Sequence, residues 1–380
     1  MSPRVDIVIP THDHALLLPL AVASAREQTV GGVRVVVLGD GVGDDTRDVM
    51  ASMLRDDPDL VFVDRPKAGR TGERHRAELL ATTDAEHVTY LGDDDLLFPD
   101  HVERMLGLLE RADVVMPQST HWRPDGEVDT SPWSLEDEPG RSLALAGASL
   151  FSLTGLAHTV AAYRRLPFGW RDTPHGFYTD QYMLLQFLAE GWCRFAVDDT
   201  ATTVHLADSL RRGMTPLERY AELRGVDEWM RRRDGWTEFR SRAQRQLRRQ
   251  AAEHIVATGA ANDRAAALDQ QVAELRRAGD ATRAALDAEV QRSAGRAGAL
   301  DAERAQNAGL TAALDAERDR AAGLTAALDA ERVRADALDE AVRAQSNELA
   351  AVMATRTMRL RALLVRPRAV RALLRWRRAG

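Results

Sequence analysis

From Val5 to about Tyr220, short apolar runs alternate with amphipathic stretches and turn residues. The run Asp6-Ile7-Val8-Ile9-Pro10 predicts a buried strand, and residues 16–28 repeat their apolar positions at helical spacing. Residues 33–38 predict a second strand that stops at Gly39-Asp40-Gly41; residues 46–54 predict a helix and residues 60–63 a short strand. Residues 74–82 then read as a helix, and residues 87–91 as a strand running into Gly92-Asp93-Asp94-Asp95. Strand–helix–strand repetition of this kind predicts an α/β fold on a mostly parallel sheet with right-handed crossovers.

The pattern changes further along. Residues 226–262 read as an arginine-rich helical connector. From there Leu-Asp-Ala-Glu recurs at Leu286, Leu300, Leu314 and Leu328, each 14 residues after the last, which is two heptads. With those leucines at position a, Val272, Val342 and Leu349 fall at a as well, while Leu268, Leu275, Leu310, Leu324, Leu338 and Val352 fall at d. One register over about twelve heptads predicts a coiled coil across residues 263–355, reaching roughly 130 Å if helical throughout. Asn307 at an a position and Glu303, Glu317 and Glu331 at d weaken the seam but can set register and strand number.

The last segment, residues 356–380, holds nine arginines and no acid, with Leu360, Leu363, Leu364, Leu373, Leu374 and Trp376 between them. A cationic amphipathic helix of this composition suits an anionic membrane surface. A nucleic-acid partner is disfavoured, because the whole chain carries a net charge of −7 and the tail has one aromatic residue. Residues 142–163 carry too much Ala, Ser, Thr and Gly for a membrane span up to Tyr163, and a buried or half-buried helix is expected there. Cys193 is the single cysteine, so no disulfide forms within one chain and a reducing compartment fits. The run from Met1 into the first strand does not read as a secretory signal, and a cytoplasmic place is expected.

Three carboxylates at the end of a parallel strand repel one another unless a cation joins them. Hard oxygen ligands suit Mg²⁺ or Mn²⁺, and those ions suit a diphosphate. Asp40 ends the neighbouring strand, and open α/β sheets bind ligands outside the carboxyl ends of their strands. His12 and His14 read as pocket wall rather than a zinc site, and His158 as an interior contact or an acceptor-side residue. No glycine-rich phosphate loop with a lysine is present, which argues against a nucleotidyltransferase.

Four motifs in order carry a resemblance. Val5-Asp6-Ile7-Val8-Ile9-Pro10-Thr11-His12-Asp13 with Gln28-Thr29 is similar to the opening of family-two glycosyltransferases of the GT-A fold. Asp40-Gly41 with Asp44-Asp45-Thr46 resembles that family's second-strand motif, and Leu91-Gly92-Asp93-Asp94-Asp95-Leu96-Leu97 its metal-binding region. Tyr178-Thr179-Asp180-Gln181 resembles the segment that carries its catalytic base. The chain departs from the family pattern at Gly39 and Gly92, where acids are frequent.

The resemblance implies a GT-A domain over residues 1–225, followed by the coiled coil. It implies a nucleotide-diphosphate sugar as donor, bound by Thr11, Asp13, Asp40, Arg76, Asp93 and Asp94. It implies a divalent metal, Mg²⁺ or Mn²⁺, on Asp94, Asp95 and His205, and Asp180 as general base of an inverting transfer to a hydroxyl acceptor. A glycan or lipid-linked acceptor follows, with self-association through the coil and a peripheral place at the inner membrane face. The competing reading is a non-catalytic coiled-coil scaffold carrying a degenerate sugar-nucleotide-binding domain, which Gly39 and Gly92 favour.

Overall fold

The computed structural model describes residues 4–148, 151–293 and 300–354. One compact unit is built on the chain up to Arg249, and a second on Gln250–Arg343.

The first unit opens with β1 (Val5–Thr11), α1 (Leu18–Arg26), β2 (Val33–Asp40), α2 (Asp44–Asp56), β3 (Val61–Arg65), α3 (Glu73–Thr82) and β4 (His87–Tyr90). These are the seven elements expected from the apolar pattern, with bounds moved by a few residues. Next come β5 (Leu96–Leu97), α4 (His101–Leu109), β6 (Val114–Pro117), β7 (Thr120–Trp122), β8 (Val128–Thr130) and α5 (Glu138–Leu145). The unit continues with β9 (Ala157–Thr159), α6 (Val160–Arg165), α7 (Thr179–Leu188), β10 (Phe195–Asp198), β11 (Thr203–Val204) and α8 (Pro216–Met230).

The main sheet has seven strands in the order β10-β6-β9-β4-β1-β2-β3. All its pairings are parallel except those of β9, which runs antiparallel between β4 and β6. Both faces are covered, so the strands read as continuous apolar runs. Val8, Leu38 and Val88 face one core with Trp170 and Phe187, while Ile7, Ile9, Val35 and Val37 face the other with Leu18 and Met50.

One buried charge locks the register at the centre. Asp6, fully buried in β1, is the partner of Arg34 in β2 and accepts from its Nε at 2.7 Å and Nη2 at 3.0 Å. A slip by one residue would leave that carboxylate unpaired in the core.

Two expectations need correction. Residues 142–163 do not form one helix: α5 ends at Leu145, and the same stretch supplies β9 and the start of α6. Its freedom from charge reflects a strand buried between two others, and Gly147 and Gly155, both at positive φ, break any continuous helix. Among the described residues no helix is long and apolar enough to cross a membrane.

The heptad region also differs from a single rod. It consists of α9 (Gly235–Ser293) and α10 (Leu300–Ala354). Within the second unit Asp269 accepts from Arg332 at 2.7 Å, while Gly279 lies against Leu314, so the two helices pair antiparallel. Val272, Leu314 and Leu328 are buried in that pairing, as their shared heptad position requires. Asn307 Oδ1, Glu317 Oε2 and Glu331 Oε2 are buried without hydrogen-bond partners, at the positions where the seam is imperfect. The start of α9 belongs to the first unit: Phe239 and Ala243 pack with Phe98, Val204 and Leu223. The basic tail, residues 356–380, lies outside the described residues.

Candidate active site

Parallel pairing sets Thr11 of β1 beside Gly39 of β2, so both strands deliver their carboxyl ends to one edge. β4 runs beside β1 with Val8 opposite Tyr90, and the chain then turns through Asp93-Asp94-Asp95 at that edge. Thr11 is buried there with its hydroxyl unpartnered, whereas Asp13 is exposed on the turn after β1.

Asp40 is buried at the end of β2. Its carboxylate is held by Lys67 Nζ and by the Ala68 amide at 2.6 Å, and His75 Nε2, bonded to the Pro66 carbonyl at 2.8 Å, lies 3.3 Å from it. Gly41 has φ +68°, and a Cβ there would meet the Lys67 backbone at 2.8 Å, so this turn admits little besides glycine. Lys67, the single lysine of the chain, and His75 carried no signal for the site in the sequence.

Arg76 of α3 is buried beneath the edge, with its guanidinium 4.5 Å from the centre of the Trp170 ring. Among the described residues its Nε has no partner, and Nη2 reaches Thr71 Oγ1 at 3.4 Å. Burial lowers its pKa against the pull of Glu73, Tyr90, Asp40 and Asp180. A buried cation so poorly paired is electrostatically suited to an anionic ligand. His158 is an interior contact, donating to or accepting from the Tyr90 hydroxyl at 2.9 Å, and burial pushes it down to about 4.

The three adjacent aspartates have separate surroundings. Asp93 Oδ1 lies 2.8 Å from His14 Nδ1. Asp94 pairs with Arg219 of α8. Burial, with Asp95 and Asp93 beside it, raises Asp94, and His14 and Arg219 pull the other way. Asp95 is almost wholly buried and accepts from Thr154 Oγ1, from the Leu206 amide at 2.7 Å and from His205 Nδ1 at 2.8 Å. Burial alone would raise Asp95, but the His205 charge and these donors hold it low. Burial would lower His205, but Asp95 first, then Asp94 and Asp180, lift it to about 9.

The two-residue ladder of β5 and β11 explains the last pair. Val204 is registered opposite Leu96, which sets His205 across from Asp95. Gly92 completes the arrangement, since a Cβ there would lie 2.6 Å from Asp95 Oδ2 and 3.1 Å from Thr154 Oγ1. The departure from the expected acid at this position is therefore coupled to the clamp on Asp95.

Asp180 sits half-buried in the first turn of α7, accepting from the Gln181 amide at 2.8 Å, and burial raises its pKa. It lines a narrow cavity with Met116, Phe151, Ser152 and Leu184. Met116, Phe151 and Ser152 also wall a neighbouring cavity that ends on Thr154 and His205. Asp180 is near enough for its charge to raise both His205, the partner of Asp95, and Arg76.

Among the described residues His14, Asp93 and Asp94 form a group whose ligand atoms all lie within 4.8 Å of one another. Two hard carboxylates and an imidazole at that spacing fit Mg²⁺ or, with its greater tolerance for nitrogen, Mn²⁺. His14 thus joins the aspartates, whereas Asp95 and His205 bond to each other.

Residues 6–169 match the family described as Glycosyl transferase family 2. The first unit has an α/β GT-A fold, and its residues 6–169 are similar to that family over less than half of the chain. This domain is 29% identical over 97 residues to a GalNAc(5)-diNAcBac-PP-undecaprenol beta-1,3-glucosyltransferase of Campylobacter jejuni, covering 25% of this chain and 31% of that one. It is 31% identical over 104 residues to a chondroitin synthase of Pasteurella multocida, covering 27% of this chain and 11% of that one. The alignments therefore span a third or less of these relatives. Among solved structures, a mannosyltransferase of Pyrobaculum calidifontis with GDP-Man and Mn²⁺ aligns at TM-score 0.41 and 17% identity, covering 69% of this chain and 80% of that one.

Proposed function

We propose that the chain is a metal-assisted, inverting glycosyltransferase that moves a sugar from a nucleotide-diphosphate sugar to a hydroxyl acceptor. The observation that supports this reading is that acids and a buried cation gather near one another at one sheet edge. Asp40, Asp93 and Asp94 follow the carboxyl ends of β2 and β4, Arg76 lies in α3, and Asp180, in the first turn of α7, acts electrostatically on both Arg76 and His205.

Thr11, Asp13 and Asp40 would receive the nucleoside, with Arg76 supplying positive charge beneath the phosphates. Asp94 would hold the divalent cation, either with His14 and Asp93, the group it already stands in, or with His205 and Asp95 once their mutual bond opens. When bound, that cation neutralises charge gathering on the departing diphosphate. Asp180, its carboxylate made more basic by burial, takes the proton of the acceptor hydroxyl. The acceptor oxygen forms its bond to the anomeric carbon as the bond from that carbon to the diphosphate breaks. A single displacement of this kind inverts the anomeric configuration.

The acceptor we favour is a surface glycan or a lipid-linked sugar. The basic tail in the sequence, and the undecaprenol-linked substrate named for the Campylobacter relative, support a peripheral place at the inner membrane face. Self-association, which would bring two catalytic domains together, would use faces of the heptad helices other than the Val272, Leu314 and Leu328 seam that the antiparallel pair already buries.

The scaffold reading draws on Gly39 and Gly92, yet Gly92 makes room for an ordered Asp95 clamp. Turnover decides between the two. Nucleoside diphosphate release from a panel of donors, with Mn²⁺ and acceptor, should be seen for the wild type. Asp180→Asn should lower it by roughly 10²–10⁴-fold while donor still binds. Equal turnover in the two proteins would remove Asp180 as the base, and no turnover in either would favour the scaffold.

A further inference from the structure

A guanidinium already occupies the carboxylate that the cation reading assigns to metal. Arg219, in the first turns of α8, bonds Asp94 through Nη2, and the same nitrogen lies 2.8 Å from Asp208 Oδ1. Its Nη1 lies 3.1 Å from His14 Nε2. The Arg219 and Asp94 side chains are 15% and 14% exposed, so this pair is largely withdrawn from water. Nothing in the local sequence of α8 marks the contact, which joins residues 125 apart.

Arg219 thus spans two of the three groups of the cation cluster. His14 Nδ1 is turned to Asp93, which raises His14, so Arg219 Nη1 lies against a group that is itself inclined to carry charge, and Asp94 is the firmer of its two partners. A divalent ion on Asp94 would stand beside this guanidinium, and two cations at one largely buried carboxylate repel each other. Guanidinium and metal therefore compete for Asp94.

The charges show where the displaced arginine goes. Once a doubly charged cation neutralises Asp94, Arg219 is left with exposed Asp208 as its acid partner. A sugar-nucleotide diphosphate arriving with the metal brings two negative charges to that edge. A guanidinium is the side chain best matched to phosphate oxygens, which it can engage in pairs.

We propose that Arg219 is an exchanging donor-site residue: it neutralises Asp94 in the free chain, yields that carboxylate to the divalent cation, and then binds the donor diphosphate. The inference rests on the metal and nucleotide-diphosphate reading above. It assigns a positioning role, since Arg219 touches no reacting carbon.

Calorimetric titration of the full chain tests the exchange through two opposed signs. Mn²⁺ alone should bind Arg219→Gln roughly tenfold more tightly than the wild type, because a charged hydrogen bond no longer competes. UDP or GDP, titrated with Mn²⁺ saturating, should bind the same variant roughly tenfold more weakly. Arg219→Lys should fall between the two on both measurements. Arg224→Gln removes an equal charge from an exposed position of the same helix and should change neither by more than about twofold.

Unchanged or weaker Mn²⁺ binding by Arg219→Gln, in protein that melts as the wild type does, overturns the competition. Tighter Mn²⁺ binding without loss of nucleotide affinity overturns the exchange and leaves a simple plug. If Arg219→Gln fails to fold, Arg219→Lys decides: metal and nucleotide affinities both equal to wild type would overturn the proposal. Wild-type protein that binds neither Mn²⁺ nor nucleotide defeats the donor-site reading itself, a result distinct from any difference between variants.

Discussion

His205 Nδ1 lies 2.8 Å from Asp95 Oδ2, joining residues 110 apart through a ladder of two residue pairs. Asp95 gives up most of its hydration to sit there, and the imidazolium replaces it. This bond ties the aspartate turn to the strand that leads into α8, so it positions the crevice as well as filling it.

The same pair sets a pH dependence of stability. His205 is raised from 6.5 to about 9 in the folded chain, so its contribution is complete below pH 6.5 and is lost as pH rises through about 9. Asp95 is lowered, so its contribution disappears as acid protonates it below the ordinary aspartate range. Thermal unfolding in chelator should therefore show stability falling between pH 7 and about 9.5, by about 1.5–3 kcal/mol. His205→Gln should remove most of that slope; an unchanged slope would place the titrating group elsewhere.

Gly92→Ala probes the clamp from the other side. The added Cβ would stand 2.6 Å from Asp95 Oδ2, which Thr154 and Leu206 hold in place. A loss of about 1–3 kcal/mol is expected, read from urea unfolding. A stability equal to wild type would mean that Asp95 moves freely.

Metal ligation divides between two histidines. If Asp94 binds with His14 and Asp93, His14→Ala should weaken Mn²⁺ binding at least tenfold, and His205→Ala should weaken it less. The reverse order would show that the Asp95–His205 bond opens on metal binding.

Asp180 makes a kinetic prediction. Its raised pKa requires the acid limb of kcat/KM to lie above the ordinary aspartate value of 3.8. A rate flat down to that value would exclude Asp180 as the base.

Far from the crevice, Arg34→Met would leave Asp6 fully buried with only the Thr83 hydroxyl for company. Stability should fall by about 3 kcal/mol, measured by denaturant titration, because a buried charge would lose its partner. A loss below about 1 kcal/mol would mean that water reaches Asp6.

The amino-acid order by itself determined the first seven elements, the parallel character of their sheet and the placing of Thr11, Asp40 and Asp93–Asp95 at strand ends. Those features follow from apolar periodicity and turn chemistry, which act over a few residues. It also marked the heptad leucines, but not that they would meet across an antiparallel pair of helices, because a heptad names a face and not a partner. Only the tertiary structure decided that residues 142–163 contain a central strand, since a charge-free stretch is equally apolar as helix or strand. It alone brought Lys67 to Asp40, His205 to Asp95 and Arg219 to Asp94. Such pairings depend on where distant segments cross, and an arginine-rich chain offers many cations without saying which of them reaches a given carboxylate.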